Sequence, residues 1–488
     1  MVTSGHLPKG LALLRAKVAS SILRVLRIEG SSMIKITKFG GSSVSSAGQF
    51  KKVKAIVQAD PSRRFVVVSA AGKRDKFDSK ITDLLYLVNA HLQYHVTCDD
   101  LLGTIGQRFC EIAKELNLSY PISHEFGIFR ELAKRGEYTP EYIVSRGEYF
   151  TGRMMAEYLG FPFVDAADVI TFRADSSIDM DKTSEKLKAA IGEEKCFVLP
   201  GFYGATEDGK IKLLDRGGGD ITGAIVAQCL GADLYENWTD VSGFLTADPR
   251  IVDNPKSISR ITYAELRELS YMGASVLHEE AIFPVKDAGI PLVIKNTNAP
   301  DDLGTVISEE TEPGVAEPLI TGIAGKKDFV AIHVKTNHMS SKVGYIRKTL
   351  SIFERYRVSI EHIPTGIDSF AVVVQGSDVK DCLYSIVADI KSELEPDEIK
   401  IVDRLALIST VGRNMPSRPG TSGRLFGELG HAGINIRMIA QGSEELDIVV
   451  GVDVDDFERA IRVIYGAFVD SDDNIITVEE AEEEATNE

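Results

Sequence analysis

The stretch that decides the fold begins with Leu214-Asp-Arg-Gly-Gly-Gly-Asp220. It continues through Trp238-Thr-Asp-Val-Ser-Gly-Phe244 and ends at Arg250. Three consecutive glycines let backbone amides approach an anion closely, because no Cβ stands in the way. Small apolar residues at helical spacing then predict a helix up to Gly231, and a helix N-terminus favours negative charge. A tight turn alone would also explain the glycines, but not the flanking Arg216 and Asp220. The stretch therefore predicts a phosphate site.

Outward from this stretch, short apolar segments alternate with helical patterns. Phe65-Val-Val-Val-Ser69 is a continuous apolar run, as is typical of a parallel strand buried on both faces. Similar segments lie at Ile34–Phe39, Phe163–Asp165, Cys196–Gly201, Leu234–Trp238 and Pro291–Lys295. The alternation predicts a three-layer α/β domain, in which ligands bind at the carboxyl ends of the strands.

Composition excludes some classes of function. The chain has 488 residues, 44% of them hydrophobic and 26% charged, with a net charge of -17, so we expect neither a nucleic-acid nor a membrane partner. Its five cysteines form no C-x-x-C pair, which favours reduced thiols and a cytoplasmic location. His278-Glu279 lacks the second histidine of a zinc helix, so no transition-metal site is indicated.

We predict the following boundaries. Residues 1–32 carry basic and apolar residues without an acid until Glu29 and read as an N-terminal extension before a natural start at Met33, or else as a targeting segment. The α/β domain covers 33–310, where an acidic, proline-bearing connector follows. Residues 481–488 form an acidic, solvated tail.

The C-terminal part contains an internal repeat with an offset of 76 residues. Gly344 aligns with Gly420, and Val372-Val-Val374 aligns with Ile448-Val-Val450, without a gap. Each copy reads strand, loop, helix, strand, turn, strand, helix, which is the order of a ferredoxin-like module. We place the two modules at 318–395 and 400–480, the second completed by a strand near 319–324.

The motifs together resemble those of aspartokinases in the amino acid kinase family, of the monofunctional type with two regulatory ACT modules. The resemblance extends from Met33 to about residue 470. The motifs are Lys38-Phe-Gly-Gly-Ser-Ser-Val44, Ser145-Arg-Gly-Glu148, Gly201-Phe-Tyr-Gly204, Arg216-Gly-Gly-Gly-Asp220, Trp238-Thr-Asp-Val-Ser-Gly243, Asp248-Pro-Arg250 and Gly273-Ala-Ser-Val-Leu-His278. The resemblance implies transfer of the ATP γ-phosphate to the side chain of L-aspartate, giving 4-phospho-L-aspartate for lysine, threonine and methionine synthesis, with Mg²⁺ held mainly by ATP.

The resemblance also implies roles for single residues. Lys38 would stabilise the transferring phosphoryl group, and Asp220 would position the reacting groups. Arg216 would clamp the substrate carboxylate and Glu148 its ammonium group, with Ser69 and Thr82 completing the pocket. The other ATP-binding residues would be Gly40, Gly41, Ser42, Thr239, Asp240, Phe244 and Arg250. Without the resemblance, Glu148 also reads as a helix-start acid and Thr82 as a helix N-cap.

The sequence departs from the family pattern at one motif. Ser275 stands where many relatives have a nucleotide-contacting lysine, and Lys286 or Lys295 are candidates to replace it.

The ACT modules imply an amino-acid effector and a homo-oligomer, either a dimer or a tetramer. The effector residues would be Met339, Lys342, Gly344, Tyr345, Ile360, Glu361 and Thr365, although Met339 and Ile360 also read as core residues. Lysine is our leading expectation, with threonine or both as alternatives. Competing functions are a kinase for glutamate or a nucleotide, and a catalytically inactive amino-acid sensor on the same scaffold.

Overall fold

The computed structural model describes residues 33–192, 195–214, 217–274, 277, 283–309, 318–416, 418–442 and 444–470. The predicted extension 1–32, the predicted tail 481–488, Arg216 and Ser275 lie outside these residues. In chain order the strands are β1 (Lys35–Phe39), β2 (Phe65–Val68), β3 (Thr171–Phe172), β4 (Phe197–Pro200), β5 (Tyr203–Thr206), β6 (Ile211–Leu213), β7 (Leu234–Thr239), β8 (Arg260–Thr262), β9 (Leu292–Asn296), β10 (Thr305–Ser308), β11 (Gly322–Lys335), β12 (Ser369–Gln375), β13 (Glu398–Val411), β14 (Met438–Gln441) and β15 (Asp447–Asp453). The helices are α1 (Ala47–Gln58), α2 (Ile81–Gln93), α3 (Asp99–Glu115), α4 (Ile122–Lys134), α5 (Pro140–Leu159), α6 (Ala166–Val169), α7 (Met180–Ala190), α8 (Gly218–Leu230), α9 (Tyr263–Tyr271), α10 (Phe283–Asp287), α11 (Tyr345–Arg355), α12 (Gly376–Val379), α13 (Leu383–Leu394), α14 (Thr421–His431) and α15 (Phe457–Phe468).

The chain divides into two compact units. The first contains residues 1–241 and 280–302, and the second contains residues 242–279 and 303–488. This division differs from the predicted boundary near 310, because Ala247 and Val252 are buried in a hydrophobic cluster with the second C-terminal repeat. Of the helices in the described part of the chain, none is long and apolar enough to cross a membrane.

Parallel strands in the order β4-β2-β1-β7-β9 form the sheet of the first unit. Phe65-Val-Val-Val68 is buried throughout, as the apolar run predicted. Val66 and Val68 face a cluster built with α1 to α5. On the other face α8 packs against β1 and β7, and a Cβ on its Gly223 would lie only 2.4 Å from the Tyr235 hydroxyl. Helices therefore cover both faces, and the prediction of a three-layer α/β domain is confirmed.

The predicted helix after the three glycines is also confirmed. Helix α8 begins at Gly218 behind Gly217, whose φ of 80° is left-handed, and it ends before Gly231. A Cβ on Gly218 would lie 2.5 Å from the Phe202 ring. The close packing of this turn therefore requires glycine.

The second unit contains an antiparallel sheet in the order β12-β11-β13-β15-β14. The predicted repeat is visible in it: α11 and α14, which begin at Tyr345 and Thr421, have the same length and both follow a left-handed glycine. One hydrophobic cluster lies under each copy. The first residues of β11, Gly322 to Lys326, pair with the last residues of β13, so a strand that precedes the first copy joins the sheet of the second.

Helix α9 is joined to the C-terminal repeats through a buried carboxylate. Thr262 and Glu265 form a capping box at its start. Glu265 is fully buried and also accepts hydrogen bonds from Thr321 Oγ1 and from the backbone and side chain of Arg413. Its charge is thereby satisfied within the second unit.

Candidate active site

Lys38, Asp220 and Asn237 meet at the carboxyl end of the first unit's sheet. Lys38 and Asn237 are neighbours because β1 and β7 are parallel in that register. Lys38 Nζ forms an ion pair with Asp220 Oδ1 and donates to Asn237 Oδ1 at 3.4 Å, and Asn237 Nδ2 donates to Asp220 Oδ1 at 2.9 Å. The Lys38 side chain is only 7% exposed. A buried cation therefore lies beside the start of α8.

Asn237 was not among the predicted residues. Its signal is that it is a polar residue in the centre of the buried strand Leu234–Thr239. Nothing in the sequence gives the register of β1 against β7, and this register is what brings Asn237 to Lys38.

The predicted phosphate loop after β1 lies against the loop after β2. Gly40 N donates to Trp238 O at 2.9 Å, and a 3₁₀ turn follows from Gly41 to Val44. Gly72 N donates to Gly41 O at 2.8 Å, and a Cβ on Gly72 would lie 2.5 Å from the Gly41 carbonyl carbon. Only glycines permit this approach, so the two loops form one surface next to Lys38.

Ser69 belongs to the same surface. A Cβ on Gly219 would lie 2.7 Å from Ser69 Oγ and 3.5 Å from Lys38 Cε. The predicted catalytic lysine, the first residues of α8 and the predicted substrate residue Ser69 are thus brought together. Arg216, the predicted carboxylate clamp, lies outside the described residues.

Glu148 is the unusual carboxylate of this region. It lies on α5, is 4% exposed, and its Oε2 has no hydrogen-bond partner among the described residues. Burial raises the pKa of Glu148 to about 8, although the Ala70 backbone amide, the Arg146 charge and the Thr82 hydroxyl all oppose the shift. A buried carboxylate with an unsatisfied oxygen favours a cationic ligand.

The part of α5 that carries Glu148 packs against the residues that follow β2. A Cβ on Gly147 would lie 2.9 Å from Ala70 Cβ, so α5 is pressed against the residue after Ser69. Thr82 is the second residue of α2, and the helix N-cap is Lys80, so the N-cap reading of Thr82 is wrong. Glu148 lies in the middle of Pro140–Leu159, so its reading as a helix-start acid is wrong as well.

Arg146 was also missed by the sequence analysis. Its guanidinium lies 4.2 Å and 4.3 Å from the ring centroids of Tyr142 and Tyr149, and it donates to Ser145 Oγ at 3.0 Å. The sequence signal for Arg146 was that Tyr142 and Tyr149 lie four residues before it and three residues after it, and therefore on the same helix face. The positive charge of Arg146 favours the ionised form of Glu148, although the two side chains do not form an ion pair.

The remaining predicted nucleotide residues occur in both units. In the first, Thr239 Oγ1 donates to Asp240 Oδ1 at 3.1 Å, and Thr239 O accepts from Thr297 N. In the second, the Phe244 ring is buried and its backbone amide donates to Thr305 Oγ1 at 2.8 Å. Arg250 is 86% exposed and paired with Asp248. Of Phe244 and Arg250, only Arg250 therefore has a side chain that faces solvent.

The predicted effector residues lie in two segments of the first repeat, residues 339–345 around the start of α11 and residues 360–365 before β12. Met339 is buried in its cluster and Ile360 packs against it, in agreement with their reading as core residues. Lys342 Nζ donates to Thr336 Oγ1 at 2.6 Å and lies 5.4 Å from the Tyr345 ring centroid. Glu361 accepts a hydrogen bond of 2.6 Å from the hydroxyl of Tyr271, the last residue of α9. Gly344 adopts a left-handed φ of 77°, and Thr365 bridges to Phe370.

The histidine, cysteine, aspartate and glutamate side chains of the described residues form no cluster of three or more that could hold a metal ion. Asp220 is the carboxylate nearest to Lys38, and Asn237 adds an amide oxygen. Mg²⁺ is usually held by one or two carboxylates together with phosphate and water oxygens. The residues present fit such an ion if a nucleotide supplies most of its ligands.

Comparison with known proteins shows the family to which the chain is similar. The family model of the amino acid kinase family matches residues 33–296, and an ACT domain model matches residues 408–468. Aspartokinase 3 of Bacillus subtilis (strain 168) is 35% identical over 449 residues, which are 89% of this chain and 98% of that protein.

Two crystal structures extend the similarity to the fold. The aspartate kinase of Clostridium acetobutylicum, described as an allosteric enzyme, is 47% identical with a TM-score of 0.83, covering 90% of this chain and 100% of that one. Aspartokinase III of Escherichia coli, crystallised with aspartate and ADP, is 25% identical with a TM-score of 0.69, covering 89% of this chain and 99% of that one.

Proposed function

Because this chain belongs to the amino acid kinase family and within it to the aspartokinases, we propose that it transfers the γ-phosphate of ATP to the side-chain carboxylate of L-aspartate. The product is 4-phospho-L-aspartate, the first intermediate toward lysine, threonine and methionine. The observation that carries the proposal is the buried cluster of Lys38, Asp220 and Asn237 between two glycine loops.

The reaction joins two anions, so neutralising charge is the main task of the site. An aspartate oxygen forms a bond to the γ-phosphorus while the bond to the β–γ bridging oxygen breaks, and ADP leaves with that electron pair. No proton is transferred, because the attacking carboxylate is ionised at neutral pH. Lys38 opposes the charge on the phosphoryl group, and its burial strengthens that attraction. Asp220 and Asn237 hold the ammonium group of Lys38 in place.

Glu148 supplies the second anchor. Its unpartnered oxygen takes the ammonium group of the substrate, while Ser69 and Thr82 contribute hydroxyl groups and Arg216 clamps a substrate carboxylate. These two charge contacts favour a substrate that carries both an ammonium group and a carboxylate. With its ammonium group held at Glu148, glutamate would place its side-chain carboxylate one methylene further from that anchor than aspartate does.

ATP is bound by Gly40, Gly41, Ser42, Thr239, Asp240, Phe244 and Arg250 in this proposal. Mg²⁺ would be held by the phosphates together with Asp220, and when bound it supplies further neutralisation of phosphate charge. Lys295 lies 5.5 Å from the Trp238 ring centroid and donates to Asp302 O, which makes it a poor substitute for the lysine that Ser275 replaces.

We also propose feedback control through the first repeat, with lysine as the effector and homo-oligomers formed through the ACT modules. The contact between Glu361 and Tyr271 supports a route from the effector residues to α9. Val343 and Ile367, 97% and 78% exposed, offer apolar side chains for subunit contact. The cytoplasmic location remains a prediction from the five cysteines.

The test is ATP-dependent acyl phosphate formation, trapped as the hydroxamate, with aspartate and with glutamate. We expect product from aspartate only, and suppression when lysine is titrated in. Asp220→Asn should lower turnover by roughly a hundredfold or more, while Asp83→Asn, an exposed acid on α2, should leave it unchanged. Binding of lysine without any phosphoryl transfer would instead favour the inactive sensor.

A further inference from the structure

A short hairpin in the second unit, residues 244–258, carries Phe244 and Arg250. Its arms are joined by Ile258 N to Phe244 O at 2.8 Å and by Thr246 N to Lys256 O at 2.9 Å. At its tip Asp248 accepts from Arg250 N and from the Arg250 side chain, so the exposed guanidinium has a defined direction. The hairpin thus holds one exposed cation, the Arg250 guanidinium, in a fixed orientation.

The inner side of this hairpin belongs to the hydrophobic core of the second repeat. Ala247 and Val252 are 4% and 7% exposed, and both lie in the cluster that contains the apolar face of α15. Ile323 N donates to Thr246 O at 2.7 Å, so the edge of β11 continues onto the hairpin. The hairpin has no separate core and depends on the repeat for its burial.

Helix α15 holds both sides of the tip through polar contacts. Arg462 Nε donates to Ile251 O at 2.8 Å. On the other arm, Lys256 N donates to the Tyr465 hydroxyl at 3.0 Å, and Lys256 Nζ donates to Val469 O just beyond the helix. The first two of these bonds satisfy backbone groups of the hairpin, Ile251 O and Lys256 N.

We propose that α15 is a positioning element for nucleotide binding, in which Arg462 and Tyr465 act through hairpin 244–258 on the affinity for ATP. The inference rests on the proposed role of the hairpin residues Phe244 and Arg250 in the nucleotide site. Neither Arg462 nor Tyr465 touches the nucleotide in this proposal. They keep the hairpin ordered before ATP arrives.

The physical reason is the cost of ordering a loop. A hairpin that fluctuates must be fixed when the ligand binds, and this conformational entropy is subtracted from the affinity. A hairpin held by α15 has lost that entropy during folding. Loss of one clamping bond should therefore raise the KM for ATP and leave the aspartate site, which lies on other elements, unaffected.

The experiment compares three single variants of the full chain. Arg462→Ala removes the donor to Ile251, and Tyr465→Phe removes only the hydroxyl that accepts from Lys256. Arg459→Ala is the matched control, because Arg459 lies one turn earlier on α15, is 52% exposed against 53% for Arg462, and bonds to Asp456 instead of the hairpin. Steady-state kinetics give the KM for ATP, the KM for aspartate and kcat, and titration with a fluorescent ADP analogue gives nucleotide affinity directly.

We expect Arg462→Ala and Tyr465→Phe to raise the KM for ATP and the analogue Kd by about fivefold, the scale of one hydrogen bond. Their aspartate KM and kcat should stay at the unaltered values, as should all constants of Arg459→Ala. Tyr465→Phe keeps the ring in the core, so it tests the idea even if Arg462→Ala folds poorly.

Wild-type nucleotide affinity in both variants would overturn the inference, as would equal losses in kcat and in the KM for aspartate. If the unaltered chain binds the ADP analogue but transfers no phosphate, the proposed activity fails while the affinity comparison still decides the role of α15. If the unaltered chain binds no nucleotide, both proposals fall.

Discussion

Glu148 and Glu236 are both buried in the first unit, at 4% and 3% exposure, yet their surroundings are opposite. Glu236 accepts two bonds from Arg63, at 2.8 and 3.1 Å, and one from Trp238 Nε1 at 2.9 Å. Glu148 has an oxygen without a partner among the described residues. One carboxylate is satisfied by the fold itself, and the other requires something that the described chain does not supply.

The difference separates structural charges from functional ones. A buried carboxylate costs several kcal/mol to desolvate, and partners in the protein offset that cost. Glu236 lies on the face of β7 opposite to Asn237, so the sheet separates this completed charge cluster from the cluster of Lys38, Asp220 and Asn237. Removing a charge from the completed cluster should therefore reduce stability, and removing one from the site should reduce function.

The largest expected effect is on turnover. Lys38→Met should lower kcat for aspartyl phosphate formation by about 10³ or more, because the buried cation that opposes the phosphoryl charge is lost. Its melting temperature should change little, since Asp220 keeps its bond from Asn237. Hydroxamate formation and thermal melting measure the two effects.

Lys35→Met is the matched control for this change. Lys35 lies on the same strand but pairs with Asp60 at 2.7 Å on the opposite face. We expect it to lower the melting temperature and retain kcat. Equal kinetic losses in the two variants would show that the faces of the sheet are not functionally separate.

The second effect is on stability. Glu236→Gln should reduce the free energy of unfolding by about 3 kcal/mol, because the Arg63 guanidinium loses its counter-charge in a buried setting. Urea unfolding measures the change, with Glu157→Gln, at an exposed site on α5, as the comparison. The aspartate KM of Glu236→Gln should remain near the unaltered value, and a large rise would count against a purely structural role.

The third effect concerns pH and Glu148. A pKa of about 8 means that the Glu148 carboxyl group is protonated at neutral pH before substrate binds. A substrate ammonium group binds the ionised carboxylate. Binding therefore releases a proton, and the affinity for aspartate should rise up to tenfold per pH unit until about pH 8, then level off. Calorimetric titrations in buffers of different ionisation enthalpy count the proton. In Glu148→Gln affinity should be weak and lack this dependence.

The raised pKa of Glu148 also predicts how the stability of the folded chain changes with pH. The folded pKa of about 8 lies above 4.5, the ordinary pKa of a glutamate, so between these pH values the folded chain binds more protons than the unfolded chain. Stability without ligand should consequently fall as pH rises through this window. Melting temperatures of the unaltered chain and of Glu148→Gln provide the test, and a pH profile shared by both proteins would contradict the assignment.

The sequence predicted those features that depend on local pattern. Helix α8 with its glycines, strand β2 and the repeat with its 76-residue offset follow from short motifs and periodicity. Asn237 and the burial of hairpin 244–258 could not be predicted in this way, because they depend on contacts between distant segments. The Lys38 contact to Asn237 spans 199 positions, and Lys256 meets Tyr465 across 209.

The smallest expected effects come from two adjacent residues of β7 that point to opposite faces. Asn237→Ala removes the amide that bonds to Asp220 and should lower kcat by about tenfold, with little change in stability. Trp238→Phe removes the donor to Glu236 and part of a buried ring, so it should cost about 1 to 3 kcal/mol of stability while kcat is retained. Kinetics and urea unfolding of both variants should give this crossed pattern. If Trp238→Phe instead lowered kcat as much as Asn237→Ala, the completed cluster would also support the reaction, and the distinction between Glu148 and Glu236 would no longer mark the boundary between function and structure.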